Sequence, residues 1–156
     1  MWLGVDVLRT DELARLLERP WFRAWAYAPQ ELEIAASFGA QRAREFLTGR
    51  FAAKEAVLKA LGTGVGAGIV PSRVAVVRTG AGAPLVRLAG PAARRAEELG
   101  MAGVTVSITH KRGLVVAAAI GLPRPGPGAD PGPDPRAAAG TAAEVVRRVH
   151  ELAALP

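Results

Sequence analysis

Phe46-Leu47-Thr48-Gly49-Arg50-Phe51-Ala52-Ala53-Lys54-Glu55-Ala56-Val57-Leu58-Lys59-Ala60-Leu61-Gly62-Thr63-Gly64 decides how the rest of the chain is read. Leu47, Phe51, Leu58 and Leu61 recur at three- and four-residue steps, so one face of a helix over residues 40–61 is core. Gly62 ends that helix and opens a glycine-rich turn running to Gly68. Lys54 sits on the apolar stripe between Phe51 and Leu58, where its ammonium must either reach out to water or meet an anion. Glu55 follows Phe51 by one turn, and Lys59 follows Glu55 by another. On spacing alone, an i,i+4 ion pair on a solvated face, worth about 0.3–0.5 kcal/mol, accounts for the last two.

Upstream, residues 1–7 read as a short buried strand ending near Asp6, whose carboxylate needs a partner or a metal among apolar neighbours. Thr10 is the expected N-cap of a helix that Pro20 stops, and residues 29–37 form another short helix. Downstream, residues 73–78 and 85–88 read as strands joined by a glycine turn ending at Pro84. Pro91 opens a helix to residue 99, and residues 104–109 and 114–120 form an antiparallel hairpin around His110-Lys111-Arg112-Gly113. The fold class is therefore α+β, a helical N-terminal half packed on a mostly antiparallel sheet. This domain is expected over residues 1–122, a Pro/Gly-rich linker over 123–135 and a helical extension over 136–156, where Val145, Val149 and Leu152 keep helical spacing.

A chain of 156 residues suits one domain with a real core, filled by Ala, Val and Leu because aromatics are only 5%. The net charge of +6 favours an anionic partner: a phosphorylated ligand, an acidic protein or nucleic acid. There is no cysteine, which excludes disulfides and thiolate metal sites. Acidic residues stand where a signal peptide would be apolar, and no stretch approaches the roughly 20 apolar residues of a membrane span, so a soluble, cytoplasmic protein is expected. A strand carboxylate, a helix carboxylate and a glycine turn together suit Mg²⁺ bridged to substrate phosphates, since Mg²⁺ takes only one or two protein carboxylates. These three features alone leave phosphate chemistry and an ordinary flexible turn beside an ion pair equally open.

Three segments carry a resemblance: Gly4-Val5-Asp6; Gly49 to Ala56 continuing through Lys59-Ala60-Leu61-Gly62-Thr63-Gly64; and Val106-Ser107-Ile108-Thr109-His110. In order and separation they resemble the signature segments of the holo-acyl-carrier-protein synthase type of phosphopantetheinyl transferase, over about residues 1–121. The resemblance implies an enzyme that moves phosphopantetheine from coenzyme A to a serine of an apo acyl carrier protein, releasing adenosine 3′,5′-bisphosphate. It implies that Asp6 and Glu55 hold Mg²⁺ against the pyrophosphate and that Lys59 offsets charge as the bond to the nucleotide breaks. Arg50 and Lys54 are implied to face the coenzyme A phosphates, Gly62, Thr63, Gly64 and Pro84 to line the nucleotide pocket, and His110 to contact its nucleotide end. The serine proton is implied to pass to Glu33 or to Glu55 acting through a metal-bound water. A homotrimer with sites between subunits is the implied assembly.

The chain departs from the family pattern at Trp2, where a glycine is usual, and at Glu12, where an arginine is usual. Arg15 and Arg19 share a helix face that suits an acidic carrier. Two other readings compete, a basic nucleic-acid-binding module and an inactive trimeric scaffold. Trp2, Trp21, Trp25 and Tyr27 are confined to the N-terminal region and make no aromatic stripe, against the first. Asp6, Glu55 and Lys59 are all present, against the second.

Overall fold

The computed structural model describes residues 2–64 and 68–125. The helical extension expected over residues 136–156, and the linker beyond residue 125, lie outside the described residues. The elements are β1 (Trp2–Arg9), α1 (Ala14–Leu17), α2 (Pro20–Ala26), α3 (Pro29–Ala36), α4 (Ala40–Ala60), β2 (Val74–Arg78), β3 (Pro84–Leu88), α5 (Pro91–Glu98), β4 (Met101–Lys111) and β5 (Leu114–Pro123), with a single 3-10 turn at Pro71–Arg73. Strands β1, β5 and β4 form one antiparallel sheet in that order, and β2–β3 form a separate hairpin.

The α+β expectation holds, and α4 is the organiser. Its first half packs with Leu13, Leu17, Phe22, Tyr27 and Ala35 from the small helices, and the rings of Phe22 and Phe51 stand 5.6 Å apart. Its second half, Ala52 to Leu61, packs against the sheet, β2 and α5. The run of small residues there lets the sheet approach closely. Gly4 marks the closest point, since a Cβ on it would lie 2.7 Å from the Ala60 nitrogen and closer still to the Ala56 carbonyl oxygen. β1 therefore rests on the backbone of α4. Trp2 fits where the family pattern has glycine because its neighbour across the sheet is Gly121. A Cβ on Gly121 would come 3.1 Å from that of Trp2.

Several local expectations change. Asp6 lies inside β1, paired with Ala117, rather than at the strand's end. The strand is buried on one face only: Leu3 and Val7 on the other are 50% and 48% exposed. Thr10 caps no helix; its N–H bonds the Gly113 carbonyl at 2.9 Å, and the turn is closed instead by Glu12, whose carboxylate accepts the Arg9 N–H at 3.0 Å. Pro20 ends α1 but also opens α2 at its first turn, where a missing N–H costs nothing, so residues 20–26 are helical. The β4–β5 hairpin is tighter than expected. Its strands run through Lys111 and the turn is Arg112-Gly113, both at positive φ (50° and 78°), as a two-residue hairpin turn requires. β5 continues to Pro123, one residue past the expected domain boundary. Among the described residues, no helix is long and apolar enough to cross a membrane.

Candidate active site

Two groups of polar side chains lie on different faces of α4. The first is built where β1 meets the helix. The Gly4 approach brings Asp6 to Lys59, whose Nζ donates to Asp6 Oδ1 at 2.8 Å and to the Val5 carbonyl at 2.9 Å. Asp6 Oδ2 is buried with no hydrogen-bond partner. Glu55, half-buried one turn before Lys59, has its carboxyl pushed above the usual range, chiefly by burial and then by the charge of Asp6, against a smaller pull from Lys59. An orphaned carboxylate oxygen beside a second carboxyl that resists ionisation marks a place short of positive charge. Among the described residues no group of three or more His, Cys, Asp or Glu could cage a metal. Two neighbouring carboxylates, one buried and one half-buried, are instead the one- or two-carboxylate donor set that a hydrated hard cation takes, so Asp6 and Glu55 fit Mg²⁺.

The second group lines a cleft of roughly 460 Å³ that includes Arg42, Arg50, Arg78, His110, Lys111 and Arg112. A neighbouring pocket of roughly 360 Å³ shares Arg50, Arg78 and His110 and adds Pro84 and Ser107. Arg50 is the buried member. Its guanidinium lies 4.5 Å over the Phe46 ring, and its Nε has no partner. Burial, and then the nearby Arg78, draw its pKa down to about 10, still charged at neutral pH and in search of an anion. His110 leans on the helix at Gly49, where a Cβ would stand 3.0 Å from Nε2 and 3.1 Å from Cε1. Among the described residues, Glu45 is the only acidic one lining the larger cleft. Such a cleft suits phosphate rather than a cation.

Helix geometry separates the groups. Arg50 and Lys59 are nine residues apart, which turns their side chains about 180° from each other and about 13 Å along the axis. Neither pocket is lined by Asp6, Glu55 or Lys59. One chain thus presents an acidic half-site with a lysine and a basic half-site, facing apart.

Of the residues singled out in the sequence, the first half-site unites Asp6, Glu55 and Lys59, and the second unites Arg50, Pro84 and His110. Lys54 joins neither, which corrects its expected place beside phosphates. It is wholly buried, with Nζ 2.6 Å from Glu31 Oε2 and donating to the carbonyls of Pro71 (3.2 Å) and Val74. Burial draws its pKa down, with Glu31 pulling the other way. The demand for an anion on the core stripe is met from inside the protein. Gly62, Thr63 and Gly64 line neither of these two pockets, and the amides of the first two are not free for phosphate. The Thr63 N–H bonds the Leu58 carbonyl at 2.9 Å and the Gly62 N–H bonds that of Lys59 at 3.0 Å, a Schellman cap with Gly62 at φ 69°. Gly64 is exposed with open space around it. Glu33 is exposed on α3 and lines neither pocket.

Sequence reasoning missed Glu31 and Arg78. Glu31 had a local signal, because it is the third residue of a helix opened by Pro29, and there a glutamate reaches back to the N-cap amide; it accepts the Ala28 N–H at 2.8 Å. Arg78 had none, being one of many arginines.

Comparison with known proteins finds one family. The family model described as the 4'-phosphopantetheinyl transferase superfamily matches residues 3–119. The holo-[acyl-carrier-protein] synthase of Ruminiclostridium cellulolyticum is 37% identical over 77% of this chain and 90% of its own. That of Shewanella amazonensis is 38% identical over 76% and 94%. The crystal structure of the Bacillus anthracis synthase in complex with coenzyme A (3',5'-ADP) superposes with a TM-score of 0.65 at 26% identity, covering 78% of this chain and 96% of that one.

Proposed function

Since the chain belongs to the 4'-phosphopantetheinyl transferase superfamily, we propose that it is a holo-[acyl-carrier-protein] synthase, transferring phosphopantetheine from coenzyme A to a carrier-protein serine in the cytoplasm. The serine oxygen forms a bond to the phosphorus carrying the pantetheine arm, and the bond from that phosphorus to the bridging oxygen breaks. The electron pair leaves with adenosine 3′,5′-bisphosphate. The work of the protein is positioning and charge neutralisation.

The observation that carries this reading is the unpartnered Asp6 Oδ2 beside the raised carboxyl of Glu55, with Lys59 bridging Asp6 and Val5. Asp6 and Glu55 would hold Mg²⁺, which when bound supplies positive charge to the pyrophosphate. Lys59, half exposed at the rim, offers its ammonium to the leaving phosphate. Glu55 is better placed than the exposed Glu33 to receive the serine proton, through an intervening water, because it stands beside Asp6 and Lys59 whereas Glu33 lines neither pocket. The basic half-site takes the nucleotide end: Arg50, Arg78 and His110 around the 3′-phosphate, with Pro84 against it. Gly62, Thr63 and Gly64 supply pocket wall rather than amide donors.

Two half-sites facing apart on one helix fit a homotrimer in which the basic half of one subunit completes the acidic half of the next. The exposed Leu3 and Val7 on the uncovered sheet face are the apolar surface such an assembly buries. Exposed Arg15 and Arg19 suit an acidic acyl carrier protein.

Intact-mass spectrometry of an apo acyl carrier protein incubated with the chain, coenzyme A and Mg²⁺ tests the proposal. The expected gain is one phosphopantetheine, lost with chelator and in Glu55→Ala. A folded chain that modifies no carrier would refute it.

A further inference from the structure

Glu31 and Lys54 take no part in the chemistry above, yet both side chains are wholly buried. Their polar contacts reach four pieces of the chain. Glu31 Oε2 accepts from Lys54 and from the Ala28 N–H at the start of α3, while Oε1 accepts the Val76 N–H of β2 at 2.9 Å. Lys54, from the middle of α4, donates to the carbonyls of Pro71 and Val74, where the chain enters β2. A buried pair of this kind is seldom more stabilising than apolar residues of the same volume, so stability alone is a poor account of it. What it adds is direction.

The β2–β3 hairpin needs that direction. It is not hydrogen-bonded to the main sheet, and its other attachments to α4 are apolar contacts of Val74 and Val76, which resist sliding only weakly. Two residues after Val76 comes Arg78, which pairs across the hairpin with Pro84. Those two residues, with Gly82 of the turn between them, are the hairpin's contribution to the pocket it shares with Arg50 and His110. Arg50 lies one turn before Lys54 on the same helix. The ion pair therefore ties together the two elements whose relative placement shapes that pocket, while the acidic half-site is held separately through β1.

We propose that Glu31 and Lys54 are positioning residues that register the β2–β3 hairpin on α4, so that Arg78 and Pro84 close with Arg50 and His110 around the nucleotide end of coenzyme A. The inference rests on the functional reading above. It assigns the pair to nucleotide binding and not to the transfer step.

The test compares coenzyme A with 3′-dephospho-coenzyme A by titration calorimetry, because the ratio of their affinities does not depend on how much of a variant is folded. In Glu31→Met/Lys54→Met the dissociation constant for coenzyme A should rise about tenfold, the loss of roughly one charge-assisted contact. That for the dephospho compound should stay within about twofold, as should kcat at saturating coenzyme A. Glu31→Gln, which keeps the shape and one acceptor, should lose about threefold and carries the same test if the double variant does not fold. Arg78→Ala should lower the ratio in the wild type yet add little in the double variant, since residues acting through one contact are not additive. An unchanged ratio in the Met/Met or Gln variant, or fully additive losses with Arg78→Ala, would overturn the proposal. A wild-type chain that binds no coenzyme A would remove the functional reading and this inference with it.

Discussion

Replacing Gly4 with alanine adds one methyl group where β1 rests on α4. The new Cβ would stand 2.7 Å from the Ala60 nitrogen and closer still to the Ala56 oxygen, all in the middle of a buried helix. No rotamer relieves a contact with backbone, so the strand must lift by about 1 Å. Overpacking of this kind costs about 1–3 kcal/mol, and main-chain contacts put Gly4→Ala at the upper end. For a domain of this size that is a fall in Tm of about 10 °C. The same movement carries Asp6, two residues along, away from Glu55, and a displacement of about 1 Å at reacting groups can cost about 100-fold in rate.

Gly49→Ala is the same chemical change with the opposite sign. Its Cβ meets the ring edge of His110, 3.0 Å from Nε2, with Ile108 Cγ2 at an ordinary contact distance of 3.6 Å, and His110 is an exposed side chain free to turn away. Alanine in a helix interior gains about 0.5–1 kcal/mol over glycine, so Tm should hold or rise by a few degrees while coenzyme A binds several-fold more weakly. Differential scanning calorimetry and carrier transfer measured well below both melting temperatures separate the two effects. If Gly4→Ala melts within about 2 °C of the wild type with unchanged kcat, or if Gly49→Ala is destabilised as much as Gly4→Ala, the account of the helix as a two-sided template is wrong.

Glu55→Gln should raise Tm in the absence of Mg²⁺. A carboxyl whose pKa is raised on folding contributes stability at low pH and loses it as pH rises through the folded value, so the gap between variant and wild type should open from acid to neutral pH. Mg²⁺ should narrow it by stabilising the wild type alone; a gap independent of pH would contradict the assigned cause. Gly62→Ala places a Cβ at φ 69° in the helix cap and should lower Tm by about 4 °C, while changing the KM for coenzyme A only by the small steric effect of one methyl on the pocket wall, because that amide is already committed to Lys59. A selective rise in KM would return Gly62 to the phosphate site. Leu3→Asp/Val7→Asp should leave the chain folded but monomeric by light scattering, and inactive, since both residues lie on the uncovered sheet face. An active monomer would refute the shared site.

Lys54 and Lys59 show where sequence stops being enough. They are the same residue type, five positions apart in one helix, and both were assigned to phosphates. The apolar stripe of Leu47, Phe51 and Leu58 places Lys54 on the core face, where its ammonium must reach water or meet an anion, and the fold supplies the anion. What the stripe cannot supply is the identity of the anion, because Glu31 arrives from 23 residues earlier on a separate helix. Lys59 lies off the stripe, and its partner Asp6 is more remote still, 53 residues away, yet Asp6 is legible because a carboxylate within an apolar strand is conspicuous. Glu31 sits in a polar-looking helix, Pro-Gln-Glu-Leu-Glu, where nothing distinguishes it from Glu33 except helix phase: one faces α4 and β2 and is wholly buried, the other is exposed. Pro20 and Gly62 follow the same logic. Proline both ends and begins helices, and a glycine after a helix either offers its N–H to a ligand or spends it on the cap; only the carbonyl actually opposite decides. Residue type and period are therefore sufficient for α4 and the two hairpins, while the pairing of Asp6 with Glu55 is decided only through the family resemblance. They are insufficient wherever the function of a group depends on whether its partner comes from inside the fold, and that is the distinction between a lysine that can meet phosphate and one that holds the phosphate pocket in shape.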